Sequence, residues 1–307
     1  MGTEHCQRLQ QAMLYARQRP TKVIVLIGGQ DFWSNGIHLN LIEAAADPAE
    51  ESWRNINAMD DFVHSVLTAT DHLTIAALYG SAGAGGVMMA LGADRVLARE
   101  GIVLNPHYKG MGGLYGSEYW TYSLPRRVGH ERALQLTEQC LPVSVHEAKA
   151  MGLIDDIIIQ DAIGGGGFDP FREQIVRIAE NLAQGKRYPD QLAQKRAERH
   201  AHEAAKPLEQ YRLEELTEMQ KNFWGEDTSY HQARSAFVYK QPRPGHLKCS
   251  VAIETVCGNL HCDEARRTLT NRCALASVGW DEQPPPPVRL DRELSLPHRR
   301  SDHSGAR

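Results

Sequence analysis

Long apolar runs are missing from this 307-residue chain. Nothing approaches the roughly 20 consecutive apolar residues of a transmembrane helix, and the first residues, Met1-Gly-Thr-Glu-His-Cys-Gln-Arg8, lack the apolar core of a signal peptide. Charge of one sign is lacking too. A net charge of −4 gives no general attraction to nucleic acid or acidic membranes. Cysteine is scarce where a fold would use it. Of six cysteines, Cys249, Cys257, Cys262 and Cys273 lie in the last quarter, which leaves Cys6 and Cys140 for the compact part. That excludes a disulfide framework and fits a cytoplasmic location. The four late cysteines are irregularly spaced and form no paired C-x-x-C knuckles, so no metal is expected. A clean G-x-G-x-x-G is also absent. Ala82-Gly-Ala-Gly-Gly86 breaks that pattern and no well-placed acid follows it, which argues against a dinucleotide site.

What is present is ordinary soluble-protein composition, 42% apolar and 23% charged. Residues 4–18 predict a helix ended by Pro20. Lys22-Val-Ile-Val-Leu-Ile27 and Leu73-Thr-Ile-Ala-Ala-Leu78 read as buried parallel strands. Between them Asp31–Leu39 reads as a loop entering a helix. A helix from Asp47 carries Trp53, Ile56, Met59, Phe62, Val63 and Val66 at 3.6-residue spacing. A small-residue helix, Val87–Ala93, follows the glycine turn. Asp94–Ala98 and Ile102–Leu104 are short strands, helices span about 117–128 and 130–139, and Ser144–Met151 is a helix before a strand at Leu153–Ile159. Strands alternating with helices, with glycine at the turns, predict an α/β layered domain over 1–163. From 164 to 241 the pattern is all helical, with helices over 171–182, 189–204, 208–223 and 228–238, and the glycine run 164–167 as hinge. From 242 to 307 periodicity vanishes and Pro284-Pro-Pro-Pro287 precludes regular structure, so this tail is expected to be disordered and dispensable.

Chemistry concentrates in Asn105-Pro-His-Tyr-Lys-Gly-Met-Gly-Gly-Leu-Tyr-Gly-Ser-Glu-Tyr-Trp120. Gly110, Gly112, Gly113 and Gly116 permit backbone conformations that a side chain forbids. Tyr108, Tyr115, Glu118 and Tyr119 supply hydroxyls and one carboxylate. Upstream, a backbone N–H near Ile37 and another at Gly85 are placed to converge on one carbonyl oxygen. Two such donors make an oxyanion hole, worth about 3 kcal/mol each in a dry site. The bland alternatives are a helix-capping acid at Glu118 and a packed aromatic at Tyr108. Arg126, Arg127 and Lys240 would suit phosphates, although a solvated face is the better explanation of them.

These segments resemble the crotonase (enoyl-CoA hydratase/isomerase) superfamily over about residues 4–160. Trp33-Ser-Asn-Gly-Ile-His-Leu39 is similar to its first oxyanion segment, with His38 in place of the usual Asp. Ala76-Ala-Leu-Tyr-Gly-Ser-Ala-Gly-Ala-Gly-Gly86 is similar to the second, with Asp94 and Ala98 at the usual spacing. The resemblance implies a crotonase-like layered fold lacking the opening strands, and a CoA thioester polarised by the N–H groups of Ile37 and Gly85. Where hydratases of that family carry two glutamates, this chain has Met88 and His107, and adding water without an acid/base pair of carboxylates has no mechanism.

Residues 105–120, with Leu124-Pro-Arg-Arg-Val-Gly129 and the helical part through Ala236-Phe-Val-Tyr-Lys240, resemble the C-terminal domain of the HypX (HoxX) family of nickel–iron hydrogenase maturation factors. That resemblance implies a formyl-CoA decarbonylase-type lyase. Carbon monoxide would leave formyl-CoA for the hydrogenase iron. The implied partners are an N-terminal formyltransferase-like domain, absent here, and hydrogenase maturation proteins. It points to Tyr108 and Glu118 as catalytic, with His107, Tyr115, Ser117 and Tyr119 as possible pocket residues and coenzyme A as thioester carrier. The rival functions are a generic acyl-CoA isomerase or hydrolase, and an inactive CoA-binding fragment.

Overall fold

The computed structural model describes residues 1–160 and 167–241. The predicted tail, its cysteines and most of the glycine hinge lie outside the described residues.

Two four-stranded sheets organise the first part. The first is β1 (Val23–Ile27), β3 (Leu73–Leu78), β5 (Arg95–Arg99) and β8 (Asp156–Ile158), adjacent in that order and all parallel. The second is β2 (Phe32–Ser34), β4 (Ser81–Gly83), β6 (Val103–Asn105) and β7 (Val143–Ser144), parallel except for the β6–β7 pair. β3 is buried along its whole length, as its unbroken apolar run requires of a central parallel strand. The α/β expectation holds. Three short strands were not foreseen: β2 within the expected loop, β4 within the glycine turn, and β7. The strand expected from Leu153 begins only at Asp156, because 153–155 turn into it.

Helix α1 (Thr3–Arg17) lies on α3 (Pro48–Leu67). Asp47 caps α3 by accepting from the Ala49 and Glu50 N–H groups at 3.0 and 3.1 Å, and Pro48 starts the first turn. The short helices α2 (Leu39–Glu43), α4 (Gly85–Leu91) and α7 (Val145–Ala150) link the strands, with α5 (Trp120–Val128) and α6 (His130–Gln139) between β6 and β7.

The helical part, α8 (Phe168–Gln184), α9 (Tyr188–Ala205), α10 (Leu208–Trp224) and α11 (Ser229–Val238), folds back over these elements. Phe171 and Ile175 of α8 pack with Ile75, Ala77, Leu97 and Ile158 of the first sheet. Lys195 of α9 donates to Asp94 Oδ2 at 2.7 Å, and Asp94 also accepts from the Thr74 N–H at 2.7 Å. Arg212 of α10 donates to Asp61 of α3 at 2.7 Å. Arg234 of α11 reaches back to Glu43 at 2.7 Å, and the hydroxyls of Tyr230 and Ser52 meet at 2.8 Å.

Candidate active site

Close backbone approach builds the first half of the site. A Cβ on Gly36 would stand 3.2 Å from the Gly85 nitrogen, so the loop after β2 abuts the first turn of α4. Trp33 anchors that approach by donating its indole N–H to the Gly86 carbonyl at 2.9 Å. Ala84 takes φ 47° and ψ −133° before α4 begins, and its N–H donates to the Asn105 carbonyl at 2.9 Å. Among the described residues, no protein acceptor takes the N–H of Ile37 or of Gly85. His38, standing where the family has Asp, accepts from the Leu41 N–H through Nδ1 at 3.3 Å and so caps α2 as a carboxylate would.

The second half is the turn that ends the glycine-rich stretch. Glu118 and Tyr119 have φ of 62° and 58°, both left-handed. The helix expected from 117 therefore starts at Trp120, because a left-handed pair cannot continue a right-handed helix. Gly116 is required here. Its φ is +90°, and a Cβ would stand 2.2 Å from the Tyr108 ring. With that space open, the Tyr108 hydroxyl lies 2.6 Å from Glu118 Oε2 and donates to it, with the Ser117 carbonyl at 2.9 Å. Both side chains are buried. The Glu118 carboxylate also presses on the first half of the site, since a Cβ on Gly85 would come 2.0 Å from its Oε1. Burial, and then the charge of Asp60, push the Glu118 carboxyl up to about 8. Burial, and then the charge of Glu118, hold the Tyr108 phenol well above its ordinary range.

Two further acids stand beside this turn that the sequence reading missed. Asp60 of α3 and Glu215 of α10 are both 0% exposed, beside Ser117 at 0%. Asp60 Oδ1 accepts from the Glu118 N–H at 2.8 Å, and its oxygens lie 3.0 and 2.8 Å from Ser117 Oγ. Glu215 Oε2 accepts from the Tyr119 N–H at 2.9 Å, and Oε1 from the Thr121 N–H at 2.8 Å. Burial pushes Asp60 up to about 7 against the pull of Arg212, and burial with the Asp60 charge pushes Glu215 up to about 8. A signal existed. Asp60 sits on the apolar stripe of Ile56, Met59 and Val63, and Glu215 beside Leu216 and Met219, so each is an acid on a buried helix face.

The remaining expected site residues are more dispersed. Ser117 lies inside the acid cluster. Tyr119 is fully buried, with its ring 6.0 Å from that of His64. Tyr115 packs on Trp120 at 5.6 Å and its N–H is taken by Asn222 at 3.0 Å. The His107 ring lies against Gly110 near Cys140. Met88 is fully buried in the core. Arg126 stacks 3.9 Å over the Tyr122 ring, and Arg127 pairs with Asp155 at 3.0 Å, so Arg127 belongs to an internal tie and not to a solvated face. Lys240 lies 4.9 Å over the Phe237 ring. Among the described residues, no group of three or more His, Cys, Asp or Glu is placed to hold a metal ion. None of the described helices is long and apolar enough to cross a membrane.

Parallel sheets joined by two abutting turns with open N–H groups define a fold of the crotonase class. The chain belongs to the enoyl-CoA hydratase/isomerase family, whose model matches residues 2–243. It is similar to the hydrogenase maturation factor HoxX of Bradyrhizobium diazoefficiens, with 46% identity over 243 residues, 79% of this chain and 42% of that protein. It is similar to HypX from Aquifex aeolicus, solved in complex with tetrahydrofolic acid, with TM-score 0.74, 46% identity, and 79% and 42% of the two chains covered. The enoyl-CoA hydratase from Bacillus halodurans shares the fold at TM-score 0.65 and 22% identity, over 76% of this chain and 90% of that one. The chain spans less than half the length of the two maturation factors.

Proposed function

We propose that the chain is the crotonase-like part of a nickel–iron hydrogenase maturation factor and that it releases carbon monoxide from formyl-CoA. The observation behind this reading is the buried Glu118 carboxylate, hydrogen-bonded by Tyr108 and pressed against Gly85. A thioester carbonyl accepting from the Ile37 and Gly85 N–H groups would bring its carbon beside that carboxylate. Formyl-CoA has no α-carbon, so the acyl group's one proton is on the carbonyl carbon. Glu118 takes this proton, the electron pair of the C–H bond stays on carbon as its lone pair, the C–S bond breaks with its pair going to sulfur, and an oxygen lone pair closes the third carbon–oxygen bond. The CoA thiolate then receives a proton from Glu118, with Tyr108 steadying the carboxylate in both states. The products are carbon monoxide and CoA thiol. A carboxyl raised towards 8 suits a group that must both take and return a proton near neutrality.

Two other observations support the reading over hydration. Met88, where hydratases of the family carry a glutamate, is sealed in the core. The relatives at 46% identity are maturation factors. Tetrahydrofolic acid in the Aquifex protein is in keeping with a formyl supply from a separate formyltransferase-like domain, which we take as the partner in a cytoplasmic maturation pathway. The purified chain given formyl-CoA should evolve carbon monoxide, read as a haem absorbance shift, and should leave enoyl-CoA thioesters unhydrated. Folded protein that evolves no gas sinks the proposal. Turnover of an enoyl-CoA or longer acyl-CoA instead would identify a general isomerase or hydrolase.

A further inference from the structure

Glu118 and Tyr119 are two consecutive left-handed non-glycine residues, a strained conformation that persists only where the surroundings hold it. The turn has no cap of its own, because the Tyr119 side chain accepts nothing from the first turn of α5. What holds it comes from two distant helices. Asp60 of α3 takes the Glu118 N–H, and Glu215 of α10 takes the N–H groups of Tyr119 and Thr121. Ser117 Oγ joins the two acids. It lies 2.8 Å from Asp60 Oδ2 and 3.2 Å from Glu215 Oε2, with a single hydroxyl proton to donate. α10 also follows the turn upstream, where Met219 Sδ accepts from the Gly116 N–H at 3.1 Å and Asn222 takes that of Tyr115.

We propose that Asp60 and Glu215 are positioning residues, a two-sided carboxylate clamp that fixes the 117–121 turn and so holds the Glu118 carboxylate against Gly85. Neither acid reaches the reacting atoms. Each acts through the backbone of the turn, and the helical part of the chain thereby completes the site. The role in turnover rests on the decarbonylation reading, whereas the clamp itself is measurable without substrate. Charge follows the same geometry. Asp60 faces Glu118, Glu215, Tyr119, Tyr108, Asp61 and the Arg212 guanidinium, and its negative charge helps keep the Glu118 carboxyl high.

The test uses the full chain and four variants, Asp60→Ala, Asp60→Asn, Glu215→Ala and Glu215→Gln. Hydrogen exchange should speed up at the Glu118 amide in Asp60→Ala and at the Tyr119 and Thr121 amides in Glu215→Ala, while β3 stays protected. On formyl-CoA, the alanine variants should lose roughly 100-fold in kcat with KM little changed, as expected for a displaced base. Asp60→Asn keeps an oxygen for the Glu118 N–H, so it should recover most of kcat. It removes a charge that raises the Glu118 pKa, so the acid limb of its pH profile should move to lower pH. Glu215→Gln keeps one of two acceptor oxygens and should fall between. Unchanged exchange at 118, 119 and 121 in every folded variant overturns the clamp. So does a kcat loss in Asp60→Asn equal to that in Asp60→Ala with no shift of the limb. If the alanine variants fail to fold, Glu215→Gln should still speed exchange at the Tyr119 or Thr121 amide and Asp60→Asn should still move the acid limb to lower pH, and the absence of both changes overturns the clamp. A wild-type chain with protected amides and no gas release would sink the decarbonylation reading and leave the clamp standing.

Discussion

Tyr108 serves both charge states of Glu118 from one position. Its phenol oxygen lies 2.6 Å from Glu118 Oε2 and 2.9 Å from the Ser117 carbonyl. Beside the ionised carboxylate, the phenol proton is donated to Glu118. Beside the protonated acid, Glu118 donates to the phenol and the phenol proton turns to the Ser117 carbonyl. No heavy atom moves between the two. Such a partner suits the proposed role of Glu118, a base that takes a proton and returns it within one turnover.

Removing that hydroxyl should therefore act on the pH profile before it acts on the fold. The Tyr108 hydrogen bond lowers the Glu118 pKa, against the rise from burial and Asp60. Tyr108→Phe should push the acid limb of kcat to higher pH and cut the rate at pH 7 by roughly 10–100-fold. The melting temperature should stay near that of the wild type. A limb that moves to lower pH would remove Tyr108 from the proton chemistry.

Glu118→Gln should abolish gas release and still make the protein more stable in alkaline buffer. The folded carboxyl titrates near 8 and an unfolded glutamate near 4.5. Across that window the folded state holds a proton that the unfolded chain has lost, so this group's contribution to stability falls as pH rises and is least favourable above pH 8. Glutamine escapes the penalty. Melting curves should show no gain near pH 4.5 and a gain on the order of 1–3 kcal/mol at pH 8.5. An equal change at both pH values would contradict the linkage.

Gly85→Ala tests the contact between the two halves of the site. The new Cβ would lie 2.0 Å from Glu118 Oε1 and 2.5 Å from its carboxyl carbon. The carboxylate must move, at a cost of about 1–3 kcal/mol in stability and with loss of activity. Gly101→Ala is the control, with φ +84° and nothing within 4 Å of the added Cβ. It should cost about 1 kcal/mol from backbone strain alone and leave turnover intact.

Away from the site, Asp94 ties β3 to α9. Lys195 is 11% exposed and Asp94 27%, and they meet at 2.7 Å. Asp94→Ala leaves Lys195 only the His72 carbonyl and frees the Thr74 N–H, so it should cost about 2–3 kcal/mol in urea titration. Lys195→Met leaves Asp94 its two Thr74 donors and should cost clearly less. Equal losses would mean that the pair, and not the buried charge, sets the cost.

The long elements could be read from sequence because each carries its own signal. The Leu73–Leu78 run has no polar residue beyond Thr74, and the α3 stripe repeats through five turns of helix. β2, β4 and β7 are two or three residues long, too short to show any period. The start of α5 was misread because Ser117-Glu118 looks like an ordinary helix beginning, and nothing local reveals two left-handed residues. Asp60 and Glu215 escaped notice for a related reason. Each is one of two adjacent acids, Asp60-Asp61 and Glu214-Glu215, and nothing in the pair itself tells which of the two faces inward.

Glu215 lies 96 positions beyond the Tyr119 amide that it binds, and Asp60 58 positions before the Glu118 amide. Contacts of such separation form late, because the loops between them must close first. During synthesis both sheets leave the ribosome ahead of α10. Until α10 docks, the Tyr119 and Thr121 amides lack the acceptor that Glu215 brings, and Asp60 alone holds the turn against a shift to an ordinary helical start. On the proposed reading, the fixed position of Glu118 thus arrives with the last helices, after both glycine-bearing loops have already been made.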